Sequence, residues 1–442
     1  MPLPERYAGQ VPRMERIWQP EGYFRAQTRI WQAQCEARSE LYGAPTTEQL
    51  DKIKTALHLT PSDIEKLNVA KGHETNTLLR MVQGRIDDPK AANFIHLGDT
   101  SSDVLDTSLA LQIIESLDIE KEDFEALSES LRNLAIQHKD TIQIGRSHGQ
   151  HGLPITFGRQ VLGWYAEVKR GINRINRSKE VIAFGKASGE MGTNVGIEPE
   201  LEEASLSKLG LVPDEAPTQV ISRDRHAEVA VLMAVNAGTL GRIAQNIRLL
   251  AMTDVGEVQE PFDLKSQQGS SSMPHKKNPE LSERVDGLNR EIKAQALAEL
   301  DNMLLWLERD ISHSSSERFV FPDIFGSLSY ATHLLTEVID GLVVNSDRML
   351  KNLNRTFGAI YSPRLMNVLL EKGMPRTKAY ELARDLSNKA MTEETQLQNL
   401  ATKDPEVTKM LNNEEIEGVF DPKFYLKNID VAYKRAGISD SK

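Results

Sequence analysis

Proline placement limits the folds that are open to this chain of 442 residues. The ranges 155–198, 218–260 and 280–321 contain no proline. Because proline removes a backbone hydrogen-bond donor and clashes with the preceding helical turn, it is rare inside helices. Each of these ranges therefore has room for a helix of about 30 residues, which would be about 45 Å long. Helices of that length are typical of helical bundles.

Apolar residues within these ranges recur every three or four positions, which is typical of a helix with one buried face. Such stripes run along 281–304, 227–250 and 161–172. Two further helices are predicted at 103–117 and 121–138. Strand-like alternation with hairpin turns is hard to find. We therefore predict an all-α fold with five long helices.

The helices are expected to group into three helical domains. We predict an N-terminal helical domain at 1–100, a central long-helix bundle domain at 101–349 and a C-terminal helical domain at 350–442. Prolines at 363, 405 and 422 separate shorter helices in the last of these. Apolar stripes on several faces of the long helices favour burial between subunits, so we expect an oligomer.

The composition excludes several classes of protein. A formal net charge of −11 disfavours a general nucleic-acid or membrane-surface binder, so an anionic ligand has to be held by local cations. The single cysteine, Cys35, excludes an intramolecular disulfide. The N-terminal residues lack the apolar segment of a secretory signal, and the apolar run at 227–238 is shorter than the roughly 20 residues of a membrane span. We therefore expect a soluble, cytoplasmic protein.

The segment 267–280, QQGSSSMPHKKNPE, places hydroxyl and cationic side chains directly before a predicted helix start. Pro279 suits the first helical position, and Glu280 complements the positive end of the helix dipole. Cations beside a helix N-terminus suit a carboxylate or a phosphate. Taken alone, however, the segment is more typical of a polar linker between two helices.

A second segment, IGRSHGQHGLPITFG at 144–158, carries two histidines three residues apart. A metal site would need further ligands at helical spacing, and no HExxH motif or acidic partner cluster is present in the sequence. Proton transfer is the better functional interpretation. A surface or structural role is the more common one for any single histidine.

The third segment, WLERDISHSSSERFVFPD at 306–323, contains Arg309 and Arg318 among several serines. Planar arginine forks and hydroxyl groups suit phosphate recognition. The alternative is an ordinary polar helix end with local Glu–Arg pairs.

Together these segments resemble a known family. GSSSMPHKKNP resembles the signature of the fumarase/aspartase superfamily, all-α lyases that assemble into homotetramers with a 20-helix core. Within it, the chain is similar to the adenylosuccinate lyase family. The supporting segments are ERYAGQVPRMERIW, HLGDTSSDVLDT, GRSHGQHGLPITFG, PTQVISRDRHAE, WLERDISHSSSER and EKGMPRTKAYELA. The resemblance covers nearly the whole chain.

The resemblance implies an anti β-elimination that releases fumarate from adenylosuccinate to give AMP, and from SAICAR to give AICAR, in purine biosynthesis. It implies no metal or organic cofactor, a nucleotide substrate, and active sites shared among three subunits. The alternative is a paralogue of the superfamily that acts on a different succinyl-amine or substituted succinate. A scaffold protein without activity would have no need of the matched catalytic residues together.

Residue roles follow from the same resemblance. Ser270 matches the general base, with Ser271 the next candidate, and His148 matches the general acid. Glu283 matches the carboxylate that orients this acid, and His73 matches a second histidine near the substrate phosphate or the transferred proton. The expected substrate-binding residues are Arg6, Tyr7, His96, Thr100, Ser101, Ser147, Gln219, Lys276, Asn278, Arg284, Arg309, Ser314 and Arg318.

Three departures from the family bear on the substrate. Glu190 and Asp99 stand where small or apolar residues are usual, and Leu307 replaces a histidine. Two added carboxylates would disfavour a phosphorylated dicarboxylate substrate if they faced the pocket. If they are turned away, they have surface or buried-pair roles.

Overall fold

The computed structural model describes residues 7, 9–262 and 272–438. Its fold is mostly helical, which confirms the all-α prediction. The helices are α1 Pro12–Trp18, α2 Pro20–Tyr42, α3 Thr47–Leu57, α4 Pro61–Val69, α5 Glu74–Gln83, α6 Pro89–Ala92, α7 Ser101–Gln137, α8 Phe157–Ile182, α9 Pro199–Ser207, α10 Asp224–Ala251, α11 Glu280–Asp301, α12 Ser312–Asp340, α13 Ser346–Leu353, α14 Ser362–Glu371, α15 Arg376–Thr392, α16 Leu397–Ala401, α17 Pro405–Thr408, α18 Asn413–Val419 and α19 Ile429–Arg435.

The described residues also form three small two-stranded sheets. Their strands are β1 Ile142–Ser147, β2 Gln150–Thr156, β3 Phe184–Gly185, β4 Val212–Pro213, β5 Val258–Gln259 and β6 Val343–Val344. The β1–β2 pair is an antiparallel hairpin, which the sequence analysis missed. Its apolar residues do not alternate cleanly because glycines and a proline interrupt them. The two-residue turn of His148 and Gly149 is also not one of the common hairpin sequences.

Two long helices differ from their predicted bounds. The helices predicted at 103–117 and 121–138 are one helix, α7, of 37 residues. No glycine or proline lies between them to end the first. The helix predicted along 281–304 ends at Asp301, and Arg309 therefore lies in the connection to α12 and not at the end of a helix. Pro322 lies inside α12, where it leaves the carbonyl of Arg318 without its usual helical donor.

The chain divides into two compact units. Unit 1 comprises Met1–Ala126, Lys169–Arg242 and Arg284–Leu335, and unit 2 comprises Leu127–Val168, Ile243–Glu283 and Thr336–Lys442. The N-terminal helices of unit 1 pack around the fully buried Trp31, Leu78 and Val82. The C-terminal helices of unit 2 pack around Leu365 and Ile416. The three-domain division stays a prediction.

One described helix, α10, is long and apolar enough by composition to cross a membrane. Within its most apolar window, however, 61% of the residues are buried inside the protein. Burial of that extent is typical of a core helix in a bundle.

A buried guanidinium joins three segments of unit 1. Arg223 donates to both carboxylate oxygens of Asp106 at 2.9 Å, to Glu317 at 2.7 Å and to the carbonyl of Ile221 at 2.8 Å. Burial alone would raise the pKa of Asp106, but the charge and hydrogen bonds of Arg223 lower it to about 2. Burial raises the pKa of Glu317 to about 6 despite the same guanidinium. The start of α7, the segment before α10 and the first turns of α12 are thereby fixed to one another.

This contact predicts a large loss of stability in the Arg223→Met variant. Removing the guanidinium leaves two buried carboxylates without a counter-ion, which costs about 3–5 kcal/mol. The matched control is Arg177→Met, which breaks an exposed ion pair with Glu228 and should cost less than about 1 kcal/mol. Thermal unfolding of the two variants checks this, and equal midpoints would contradict it.

Candidate active site

A cavity of about 310 Å³ in unit 1 brings together three of the predicted phosphate-binding residues. Arg309, Ser314 and Arg318 all contribute to its lining. Ser314 and Arg318 lie four residues apart in α12, so their side chains share one face of that helix. The cavity is therefore suited to an anion with several oxygen atoms.

Arg318 is already paired inside this cavity. Its two terminal nitrogens donate to the two carboxylate oxygens of Glu74 at 3.1 and 2.9 Å, and the Tyr23 hydroxyl donates to Glu74 at 2.9 Å. Burial would raise the pKa of Glu74, but the hydrogen bonds from Arg318 and Tyr23 lower it below its ordinary value. The sequence analysis missed Glu74 and Tyr23. Glu74 and Arg318 are 244 residues apart, and no local motif links them.

Arg309 is positioned by the connection between α11 and α12. It donates to the side-chain oxygen of Gln219 at 3.3 Å, so two predicted substrate-binding residues lie together. Asp310 accepts from the backbone of Trp306 at 2.8 Å and of Ser312 at 2.7 Å, which fixes the turn around Arg309. Hydrogen bonds from Ser312 lower the pKa of Asp310 to about 2. The connection therefore has a defined backbone conformation.

His313 lines the same cavity and was not among the predicted residues. It is buried, and its Nδ1 has no hydrogen-bond partner among the described residues. Burial and the neighbouring charge of Arg223 lower its pKa to about 4, so the imidazole is neutral near pH 7. In the sequence it lies between Ser312 and Ser314, and no local pattern marks it as a cavity residue.

Tyr7 and Arg284 form a second cluster in unit 1. The Tyr7 ring stacks on Tyr330 with centroids 5.0 Å apart, and the Arg284 guanidinium lies 5.3 Å from the Tyr7 centroid. Arg284 also donates to the Tyr330 hydroxyl at 3.0 Å. Tyr330 is a further member of this cluster that the sequence analysis missed.

The segment that leads into α7 and the first residue of that helix hold three predicted residues, His96, Thr100 and Ser101. The backbone of Thr100 donates to Asp103 at 2.7 Å, and Ser101 begins the helix. His96 has a positive φ of 66°, and its Nδ1 accepts from the indole of Trp31 at 3.2 Å.

The two unusual carboxylates have different surroundings. The side chain of Asp99 is fully buried; one carboxylate oxygen accepts from the Gln34 amide at 2.7 Å, and the other lies 3.4 Å from Nδ1 of His96. Asp99 is therefore paired inside the protein, which is one of the roles predicted for a carboxylate that is turned away from the pocket. Glu190 is exposed, as is Leu307 at a φ of 50°.

His73 is also exposed. It is the residue directly before α5 and is the neighbour of Glu74 in the chain.

In unit 2, His148 lies at the tip of the β1–β2 hairpin. Ser147 pairs with Gln150, and the turn between them has φ of 54° at His148 and 75° at Gly149. Two-residue turns of this kind require positive φ at both central residues. Both Ser147 and His148 are exposed, and the two neighbours of His148 line a cavity of about 880 Å³.

A buried carboxylate supports this hairpin. Glu257 accepts two hydrogen bonds from Arg146 at 3.0 and 2.6 Å, one from Gln143 at 3.0 Å and one from Asn352 at 2.8 Å. The apolar side of the hairpin packs through Ile144 against a small buried cluster. The imidazole at the tip therefore projects from a well-anchored support.

The end of the signature segment lines another cavity of unit 2, of about 960 Å³. Lys276, Asn278 and Glu283 contribute to it together with Arg248 and His275. Helix α11 begins at Glu280, and the Glu260 carboxylate accepts from the backbone of Leu281 at 3.1 Å and of Ser282 at 2.7 Å. Burial raises the pKa of Glu260.

Some predicted relationships are not found within the described residues. Ser270, Ser271 and Arg6 lie outside them. No hydrogen bond joins His148 to Glu283 among the side chains that are described. The described part of the chain also contains no group of three or more His, Cys, Asp or Glu residues placed to hold a metal ion.

Comparison with known proteins gives two family matches. The family described as Lyase matches residues 5–293, and the family described as Adenylosuccinate lyase C-terminus matches residues 358–436. The chain is 42% identical to the adenylosuccinate lyase of Synechocystis sp. over 98% of its own length and 100% of that protein. It is 39% identical to the adenylosuccinate lyase of Aquifex aeolicus over 98% of each chain.

Solved structures show the same fold. The 3-carboxy-cis,cis-muconate lactonizing enzyme from Pseudomonas putida is 27% identical, with a TM-score of 0.87 over 96% of each chain. A fumarate lyase from Mesorhizobium sp. BNC1 is 24% identical, with a TM-score of 0.87 over 96% of this chain and 97% of its own.

The hairpin turn predicts different responses to two substitutions of His148. Asparagine tolerates the left-handed region, whereas a β-branched residue there costs about 1–2 kcal/mol. We therefore expect His148→Asn to unfold at the temperature of the unmodified protein and His148→Val to unfold at a lower temperature. Differential scanning calorimetry measures both midpoints, and equal midpoints would contradict the turn geometry.

Proposed function

The chain belongs to the adenylosuccinate lyase family, a family of fumarate-releasing carbon–nitrogen lyases within the fumarase/aspartase superfamily, and we propose that it cleaves adenylosuccinate to AMP and fumarate. We further propose that it cleaves SAICAR to AICAR and fumarate. The observation that carries the proposal is identity of about 40% to adenylosuccinate lyases over nearly the whole chain. The cavity lined by Arg309, Ser314 and Arg318 supports a phosphorylated substrate.

The reaction is a β-elimination, in which the pair of electrons from a broken C–H bond forms the new double bond as the C–N bond breaks. The proton leaves a carbon next to a carboxylate, and negative charge builds up on that carboxylate. Cations and hydrogen-bond donors aimed at it lower the barrier. Lys276 and Asn278 are the proposed carboxylate-binding residues, and their lining of one cavity supports this assignment.

Ser270 is the proposed general base and takes the proton from carbon. A serine hydroxyl needs nearby positive charge and exclusion of water before it acts as a base. His148 is the proposed general acid and protonates the departing nitrogen, with Glu283 orienting its ring and Ser147 beside it. An exposed imidazole on an anchored hairpin supports this role, because the acid has to reach a substrate atom.

The remaining residues bind the nucleotide. Arg309, Ser314 and Arg318 are the proposed phosphate clamp, together with Arg6 and Tyr7, and His73 lies near the phosphate or the transferred proton. The further substrate contacts proposed are His96, Thr100, Ser101, Gln219 and Arg284. The hydrogen bond between Arg309 and Gln219 and the contact of Arg284 with Tyr7 support two of these groupings.

We propose a cytoplasmic homotetramer in which three subunits contribute to each active site. Exposed apolar side chains support assembly: the exposed fraction is 77% for Leu304, 79% for Trp306 and 94% for Leu307. Three large exposed apolar side chains within four positions of the chain favour a subunit interface. Assembly also accounts for the lack of a hydrogen bond between the described His148 and Glu283, because the acid and its orienting carboxylate then come from different chains.

The base assignment predicts the result of a serine substitution. Ser270→Ala should lower kcat for fumarate release from adenylosuccinate by at least about 100-fold, because general-base catalysis contributes that much or more. The matched control, Ser271→Ala, should retain most of the activity. Fumarate absorbance measures both rates. Loss of activity in the Ser271 variant alone would contradict the assignment of Ser270.

The acid assignment is tested with the variant that preserves the hairpin turn. His148→Asn should lower kcat by about 100-fold or more and change KM by less than about three-fold, because its contribution arises in the transition state. The limb of the pH profile that reports the protonated acid should disappear with it. A raised KM at unchanged kcat would indicate ground-state binding and contradict the role.

A further inference from the structure

The ion pair between Arg318 and Glu74 lies in the cavity that the proposed function assigns to the substrate phosphate. Both terminal nitrogens of Arg318 donate to Glu74, at 3.1 and 2.9 Å. This parallel, two-bond geometry is also the one in which arginine binds a phosphate. In the structure, the carboxylate therefore occupies the position on the guanidinium that a phosphate would need.

We propose that Glu74 is an internal substitute for the substrate phosphate, which pairs with Arg318 in the empty cavity and is replaced when the phosphorylated substrate binds. Glu74 is then a specificity-determining residue. Small anions that bring no other contacts compete poorly with it, and a nucleotide that also binds Arg309 and Ser314 displaces it. This inference rests on the proposed function, because it concerns the same phosphate site.

The exposure of the pair makes such an exchange feasible. The exposed fraction of the side chain is 54% for Arg318 and 40% for Glu74, against 1% for Arg223 and 9% for Glu317 in the buried pair nearby. Partly exposed ion pairs contribute little to stability, whereas breaking a buried pair is expensive. The cavity thus contains one arginine whose partner is fixed and one whose partner can be replaced.

The charges around the cavity support the same conclusion. Its lining contains Arg223, Arg309 and Arg318, and the carboxylates of Asp106, Glu317 and Glu74. Asp106 and Glu317 are both paired with Arg223. Among the carboxylates of this lining, Glu74 is therefore the one that balances the positive charge of Arg309 and Arg318. A phosphate that enters beside Glu74 is repelled, and one that replaces it is not.

Two further contacts keep Glu74 in its charged, paired state. The Tyr23 hydroxyl donates to the oxygen that also accepts from Arg318, at 2.9 Å. The pKa of Glu74 is lowered by Arg318 and Tyr23 against the effect of burial, so the carboxylate stays ionised at neutral pH. Competition with phosphate therefore persists throughout the pH range in which the substrate phosphate is a dianion.

The Glu74→Gln variant tests the inference, because glutamine keeps the shape and removes the charge. The apparent affinity equals the intrinsic affinity multiplied by the fraction of the protein in which Arg318 is free to bind phosphate. An exposed pair shifts such an equilibrium by about two- to five-fold. We expect KM for adenylosuccinate to fall by that factor with kcat unchanged, and KM for succinyladenosine, which lacks the phosphate, to stay the same. The inhibition constant of inorganic phosphate should fall by the same factor.

The matched control is Glu228→Gln, which breaks the exposed ion pair of Glu228 with Arg177. The exposed fractions in this pair, 66% for Arg177 and 39% for Glu228, are similar to those of Arg318 and Glu74. It should leave KM for both substrates unchanged. A raised KM for adenylosuccinate in Glu74→Gln would overturn the inference, because Glu74 would then be orienting Arg318. An equal fall in KM for both substrates would overturn it as well.

Isothermal titration with inorganic phosphate separates this inference from the proposed function. Tighter phosphate binding by Glu74→Gln, in a protein that does not cleave adenylosuccinate, would refute the proposed function and support the role of Glu74. Unchanged phosphate affinity, in a protein that does cleave adenylosuccinate, would refute the role of Glu74 alone.

Discussion

The buried guanidinium of Arg223 is the contact on which the architecture of unit 1 depends. It neutralises Asp106 and Glu317 in a place where neither carboxylate has enough water around it to stay ionised alone. By doing so it fixes the first turns of α12, from which Ser314 and Arg318 reach the cavity. The proposed phosphate-binding residues Ser314 and Arg318 are thus supported by a buried ion-pair network. The same cavity then contains both a permanent ion pair and an exchangeable one.

Unit 2 presents the imidazole of the proposed general acid, His148. The hairpin places His148 at its tip in a left-handed conformation that few residues adopt without strain. Four hydrogen bonds to Glu257 secure the strands beneath it. Fixed geometry at an exposed position is what an acid needs in order to meet a substrate atom without reorganisation. The left-handed backbone at His148 and the hydrogen bonds of Glu257 therefore act together to fix the position of this imidazole.

The sequence predicted the helical fold, because proline-free ranges with a helical period leave few alternatives. It also predicted Arg309, Ser314 and Arg318 as phosphate-binding residues, and these three line one cavity because they lie close together in the chain. It did not predict Glu74, Tyr23 or His313, since long-range partners leave no local pattern. The hairpin was missed because glycines break its alternation. The single helix α7 was predicted as two helices, although no glycine or proline lies between them. Ser270 and Arg6 rest on the family resemblance alone.

The central claim is that the cavity of unit 1 recognises a phosphate through Arg318. A double-mutant-type cycle tests it most directly, because it combines the substitution Arg318→Ala with removal of the substrate phosphate. The value of kcat/KM is measured for the unmodified protein and for the variant, each with adenylosuccinate and with succinyladenosine. A charge-assisted hydrogen bond is worth about 1.5–3 kcal/mol. We expect the substitution to lower kcat/KM at least about ten-fold for adenylosuccinate and to leave the value for succinyladenosine within about two-fold. Equal losses for the two substrates would contradict the claim.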